Sequence, residues 1–450
     1  MNDSGVKIEM HLIQNFAPSN LNRDDTGQPK STYFGGYRRA RVSSQCGKRA
    51  ARDWWRERST VTVGERTKKL QQLIAERLCQ DKEFMKKIDP EVENPDDDSI
   101  VLREGIRLFT DTYYAASDSK KLDNTTVLIF IGPDEVSACV QAIKDLWDDK
   151  AEEVTKKGKK ASETFKGIGT VTKEVRAAKD KAVNKKEPSS VSAPASDETK
   201  KPKLDRRKKI EDQLNKAQVS ADIALFGRML AEQPGRNTDG ACQVAHPIST
   251  HKVDMEMDFY TAVDDLNPAE ETGAGMMGII GFNSACYYRY AVVDRDQLAR
   301  NLARKTERRD NKWLNELDDN DYQAADKVIS AFLESMVYAI PTGKQNSFAA
   351  QNLPSFGLFV KRKGGVPLSL ANAFAKPVRP TKEDDDLIGL SVASLTKHWG
   401  ALKAVFGEQG EQETAYFHTG YKDRVNGLEN SEKKSVEEAI KTIMKAESNQ

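Results

Sequence analysis

The sequence predicts an α+β protein. Three observations carry this: apolar–polar alternation in separated stretches, 3.6-residue periodicity in others, and no internal repeat of the kind that builds a solenoid. With 450 residues, 38% hydrophobic and 31% charged, the chain has material for a sizeable core and for more than one domain.

Taken in order, Val6 to Ile13 sets Val6, Ile8, Met10 and Leu12 against Lys7, Glu9 and His11, a strand with one buried face. A polar loop over 15–36 follows. Arg39 to Val42 reads as a short strand, and Ser43 or Ser44 as the cap of a helix running to about Trp55. Leu70 to Ile88 and Ser99 to Ala116 are expected to be helical, and Asn124 to Ile131 a strand or buried segment. Pro133 to Asp148 puts Val136, Val140, Ile143 and Leu146 on one helical face. Lys150 to Lys186 is Lys/Glu/Ala-rich and weakly helical, Glu187 to Lys203 is a Pro/Ser linker expected to be disordered, and Arg206 to Gln218 is a basic helix. Ser220 to Met229 opens a second ordered half. Gln243 to Tyr290 holds two alternating stretches around a Gly- and Pro-containing tip, a hairpin-like excursion. Asp321 to Ala339 is amphipathic through Val328, Ile329, Phe332 and Met336, Phe356 to Lys361 is a strand, and Ser431 to Ala446 a closing helix.

The total charge is only +1, so a uniformly basic surface is excluded. The charge is unevenly placed, however. Lys150 to Lys216 holds 20 basic and 11 acidic residues, a local +9 that leaves −8 for the rest. Such asymmetry suits a polyanionic partner, or simply a solvated charged helix. Five cysteines without a CxxC pair read as reduced, intracellular thiols, and no apolar run is long enough for a membrane span. A cytoplasmic location is expected.

The helix opening at Ser43 is the first candidate site. Gln45, Lys48, Arg49 and Arg52 fall at i, i+3, i+4 and i+7 and share a face, with Cys46, Ala50 and Trp54 opposite. A helix N-terminus favours phosphate, and Arg38, Arg39 and Arg41 lie just upstream. Asp24 and Asp25 are adjacent carboxylates, which could hold a metal but more often shape a turn. His246 and His251 are five apart, off the helical metal-pair spacing, and the GAGMMG segment at Gly273 lacks the ending of a phosphate loop. No metal site, cofactor or catalytic triad is expected.

Three segments then act together: SNLNRDDTGQPKSTYFGGYRRARVSSQCGKRAARDWW, ADIALFGRMLAE with DGACQVAHPISTHKVDMEMDFYTAVDDL, and KQNSFAAQNLP with VPLSLANAFAKPV. This pattern closely resembles the CasC family, the backbone subunit of the type I-E CRISPR surveillance complex Cascade, over about 6–60 and 220–380. The resemblance implies a palm with a modified RNA-recognition (ferredoxin-like) fold, divided between 1–60 and 220–450. It implies a helical finger insertion at 61–219 and a thumb hairpin at about 243–285. It further implies a non-enzymatic subunit that polymerises with copies of itself along a CRISPR guide RNA (crRNA), beside other Cascade subunits, and presents the bases to target DNA. Matching positions assign Arg23, Ser43, Gln45, Lys48, Arg49 and Arg52 to the guide backbone and Met229 to a base. Phe259, Tyr260, Thr261, Val263 and Met276 (or Met277) fall in the thumb. A lane for target DNA would use Lys156, Lys157, Lys159, Lys160, Arg206, Arg207, Lys208 and Lys209. The rival is a metal-dependent ribonuclease built on Asp24 and Asp25.

Overall fold

The computed structural model describes residues 5–88, 100–121, 123–147, 207–230, 233–262, 276–310, 312–407 and 410–445. The Pro/Ser linker, most of the basic run and the GAGMMG glycines before Met276 lie outside them. The chain divides into two compact units, one of residues 1–61 with 240–450 and one of residues 62–239. No helix among the described residues is long and apolar enough to cross a membrane.

The first unit is built on an antiparallel sheet. Its strands are β1 (Val6–Ser19), β6 (Cys242–Val244), β7 (Ile248–Ser249), β8 (Glu256–Ala262), β9 (Met276–Asp294), β12 (Phe356–Lys363) and β13 (Glu411–His418). The main path runs β13-β12-β1-β9-β6, with β7 and β8 also paired to β9. Adding the Ser44–Arg58 helix after β1 and the Asp319–Tyr338 helix after β9 gives the chain order β-α-β-β-α-β with β1 between β12 and β9. That is the ferredoxin-like arrangement. β13 and the Leu387–Phe406 helix extend it.

β1 runs past Ile13 to Ser19 because β9 continues to pair with it as far as Ser19↔Asn283, across an irregularity after Phe16. Both faces of β1 are buried, so Lys7, Glu9 and His11 are not the solvent face that alternation predicts. They face the side where Ile13, Tyr288, Leu358 and Val360 pack with Val392, Leu395 and Trp399 of the Leu387–Phe406 helix. Their burial is made tolerable by pairing. Glu9 accepts hydrogen bonds from the Arg362 guanidinium (2.8 Å), the Leu368 N–H (2.7 Å) and the Tyr290 hydroxyl (3.1 Å). His11 Nδ1 lies 2.9 Å from the Tyr288 hydroxyl. On the opposite side the Arg295–Ala303 and Ser44–Arg58 helices pack with Asp319–Tyr338, where Trp55 donates to the Ala331 carbonyl and Trp54 stacks on Tyr338. Val328, Ile329, Phe332 and Met336 are all buried, as the periodicity predicts.

The second unit is largely helical among its described residues. The helices Leu70–Cys79, Lys82–Ile88, Ile100–Tyr113, Pro133–Trp147 and Arg207–Lys216 enclose one core with Ile74, Phe109, Ile143, Leu146, Ile210 and Leu214. The single helix expected over 70–88 is two, because the Asp81 carboxylate caps a new start by accepting from the Phe84 N–H. Strands β4 (Glu65–Thr67) and β5 (Ile129–Ile131) form a small pair, as β2 (Ser31–Phe34) with β3 (Tyr37–Ala40) and β10 (Arg308–Arg309) with β11 (Lys312–Trp313) do in the first unit. The boundary expected at 219 falls after Asp239 instead. Residues 220–239 are bound into this unit: the Ala221 N–H donates to the Thr62 carbonyl, and Asp222 accepts from the Gly64 N–H.

Candidate nucleic-acid interface

The helix at Ser44 starts as its sequence directs. The Ser43 hydroxyl accepts from the Cys46 N–H at 3.3 Å. The imidazole of His246 accepts from the Ser44 N–H and from Arg41, each at 3.2 Å. Two first-turn donors thus have protein partners, which corrects the picture of a helix end wholly free for phosphate. His251 is occupied separately, accepting from the Cys286 N–H at Nε2.

The four polar residues of this helix divide. Gln45 and Arg49 are exposed, Arg49 by 82% of its side chain, and Lys48 is half-buried. Arg52 is buried. The buried residues of the helix are Ser44, Ala50, Ala51, Arg52 and Trp55, so of the expected stripe Ala50 is buried and Cys46 packs against the core, while the buried face is wide enough to take Arg52 off the solvent side. Of the upstream arginines, Arg38 is exposed, whereas Arg39 is fully buried and donates to the carbonyls of Ser249, Phe374 and Ala375. Arg39 is therefore a structural clamp, not a surface contact.

The loop bearing Arg23 is fixed to this helix and to the hairpin root. Asn22 Oδ1 accepts from the Ser43 N–H (2.8 Å), and Asn20 donates to the Gly281 carbonyl (2.8 Å). Arg23 is exposed on that loop. Asp24 organises the turn: one oxygen accepts from the Thr26 hydroxyl and from the N–H groups of Thr26 and Gln28. These donors, the Thr26 hydroxyl foremost, hold its carboxyl below the usual range. Asp25 is exposed, and no cluster of three potential metal ligands occurs among the described residues.

The hairpin of β8 and the first third of β9 presents two unlike faces. Register pairs Phe259 with Ile279 and Thr261 with Met277, so Met257, Phe259, Thr261, Met277 and Ile279 share one side. Phe259 is 62% exposed, and its apolar neighbours on that side are comparably bare. Tyr260 lies on the other side with Met276, and its ring covers Gly278, where a Cβ would sit 2.4 Å from the ring. Val263 lies outside the described residues.

Met229 belongs to the second unit and is 84% exposed. Its neighbours explain why. Gly227 ends the Ala221–Phe226 helix at φ +78° and ψ 164°, a conformation that favours glycine. Arg228 then turns inward, making an ion pair with Glu135 at 2.7 Å and donating to the carbonyls of Phe130 and Arg236. With Arg228 anchored, Met229 is turned out. Arg207, Lys208 and Lys209 stand at the start of the Arg207–Lys216 helix; Lys156, Lys157, Lys159, Lys160 and Arg206 lie outside the described residues.

Burial of both faces of β1 leaves no open platform for stacked bases at the centre of the sheet among the described residues. What the first unit presents to solvent instead is a basic helix, a clamped loop and an apolar hairpin. A family model described as CT1975-like protein matches residues 8–445, and the chain belongs to that family. A chain of a "CRISPR RNA-guided surveillance complex, pre-nicking" is similar at 26% identity and a TM-score of 0.68, covering 97% of this chain and 99% of that one. A chain of another "CRISPR RNA-guided surveillance complex" matches in fold at 22% identity and a TM-score of 0.59, with the same coverage. A search of curated protein sequences gives no match.

Proposed function

We propose that this chain is a guide-RNA-coating subunit of a type I-E CRISPR surveillance complex. Copies of it line up along crRNA, beside other subunits, and hold the sugar-phosphate backbone while the bases pair with target DNA. The observation that carries this reading is the joining of helix, Arg23 loop and hairpin root through Asn20 and Asn22, in a family member whose structural relatives sit in RNA-guided complexes. Backbone contacts position a strand without reading it, which is what a sequence-indifferent guide holder needs. On this reading the role is non-enzymatic, and bound RNA should stay intact in Mg²⁺; one Asp24 oxygen serves its own turn.

Lys48→Glu and Arg49→Glu are expected to weaken binding equally for unrelated RNA sequences. Each lost phosphate contact should lower the slope of log K against log salt by roughly 0.7. Binding titrations at several salt concentrations check this, and a loss restricted to one sequence would point to base readout instead. Arg52→Glu should behave differently: it buries a reversed charge and is expected to destabilise the helix rather than trim affinity alone.

The unlike hairpin faces give a second expectation. Phe259→Ala removes an exposed aromatic wedge and should cost roughly 1–3 kcal/mol of base stacking per copy. In nuclease footprints of assembled particles, the periodic protection should blur. Tyr260→Ala uncovers Gly278 and should loosen the hairpin, seen as faster amide exchange in β8. Unchanged footprints in both variants would remove the hairpin from the RNA-binding role.

A further inference from the structure

Beside the first turn of the Ser44–Arg58 helix lies a small half-open cavity, bordered by Gln14, Ser43, Ser44, Gly47, Arg289 and Tyr290 and otherwise mainly apolar. Arg289 projects from β9 and is buried, at 9% exposure. Among the described residues its hydrogen-bond partner is the neutral amide of Gln14, at 2.5 Å, and no carboxylate pairs with it. Gln14 is itself oriented by donating to the Asn352 carbonyl at 2.7 Å, so the guanidinium is held in place but not neutralised. Burial alone drives its pKa down to about 10. A buried charge without a counter-charge is a standing electrostatic cost. Two other buried arginines are neutralised, Arg362 by Glu9 and Arg228 by Glu135, while Arg39 donates to backbone carbonyls.

Gly47 leaves the way into the cavity open. Its backbone is helical, so no left-handed turn requires glycine, and a Cβ built on it would meet no atom within 4 Å. Glycine inside a helix is unfavourable, and nothing in the chain fills the space it leaves. An approach to backbone kept open in this way suits a ligand.

We infer that this cavity is an oxyanion pocket in which Arg289 receives a phosphate of the bound RNA strand, entering past Gly47. The inference rests on the RNA-binding reading and deepens it: the strand held outside by Lys48 and Arg49 would have one phosphate anchored inside. Phosphate of the strand is favoured over a carboxylate from a second copy because Gly47, at the mouth, is followed directly by Lys48 and Arg49, the residues proposed to hold that strand.

The test uses the purified full chain and inorganic phosphate at millimolar concentration against chloride at matched ionic strength. A saturable rise of a few degrees in the unfolding midpoint is expected, and it should vanish in Arg289→Met. Gly47→Leu blocks the mouth while leaving Arg289 intact and improving helix propensity, so it carries the test should Arg289→Met fail to fold. It too should abolish the rise, and should weaken binding of a single-stranded RNA about tenfold. No rise in the parent, or a rise retained in Gly47→Leu, overturns the pocket. An equal rise with acetate makes it a carboxylate site and overturns the phosphate assignment. A phosphate response lost in Gly47→Leu with RNA affinity unchanged also overturns it, while leaving the RNA-binding reading in place. A parent that binds phosphate but no RNA instead defeats that reading, and with it the assignment of the pocket to the strand.

Discussion

Replacing Arg228 with alanine is expected to destabilise the second unit by about 3–5 kcal/mol, the range seen when one partner of a buried ion pair is removed. Both side chains are almost wholly shielded, and Glu135 also accepts from the Gly132 N–H, so it cannot swing out to water. The alanine variant would strand a carboxylate in a core of Val136, Ile143 and Leu146, and would release two carbonyls from their donor. Denaturant unfolding measures the loss. A double variant, Arg228→Met with Glu135→Gln, should recover much of it because no bare charge remains. If Arg228→Ala alone costs under 1 kcal/mol, the pair is not the anchor described here. Limited proteolysis gives a local readout, since Met229 should lose its fixed position when its neighbour lets go.

The second large effect is a pH dependence. Burial holds the His11 imidazole down at about 3, against 6.5 for an exposed histidine. The folded chain keeps it neutral while the unfolded chain takes up a proton below 6.5. The contribution is therefore fully present above pH 6.5 and is lost as pH falls toward 3, at roughly 1.4 kcal/mol per pH unit. By pH 5 the loss assigned to His11 should reach about 2 kcal/mol. His251 and His398 are also lowered by burial and add to the slope in the same direction. Comparing the parent with His11→Gln separates them: the variant's stability should vary less steeply between pH 6.5 and 5. Parallel curves would show that His11 is protonated in the folded state.

Much of the architecture could be read from residue spacing. β1, the capped helix at Ser43, the Asp319–Tyr338 helix and the hairpin strands all announce themselves through period and caps. Other parts could not, for definable reasons. The Leu387–Phe406 helix is apolar around most of its circumference, so no single face stands out, although Asp386 supplies an N-cap signal. The polar side of β1 looks like a water-facing side in one dimension; only the partners from Tyr288 to Leu368 make it an interior. Arg39, Arg49 and Arg52 are chemically alike in sequence, and packing decides which of them meets solvent. Arg289 lies outside every motif, and Gly47, although inside the first of the three segments, carries no chemistry that marks it. Their meaning comes from what is missing around them.

β9 has one further consequence. It is a single strand of 19 residues, Met276 to Asp294, paired with β8 at its start and with β1 at its end. At about 3.3 Å per residue it spans roughly 60 Å without an interrupting turn. The hairpin is therefore less a flap on a hinge than the free end of a beam clamped in the centre of a sheet. A sideways load on the tip would act on the ladder between Ile13 and Tyr288 as torque rather than swing a loop aside. Under the proposed function, bending a guide strand against such a part would stress the protein's interior, so rigidity of the middle sheet would set how sharply the strand can be bent.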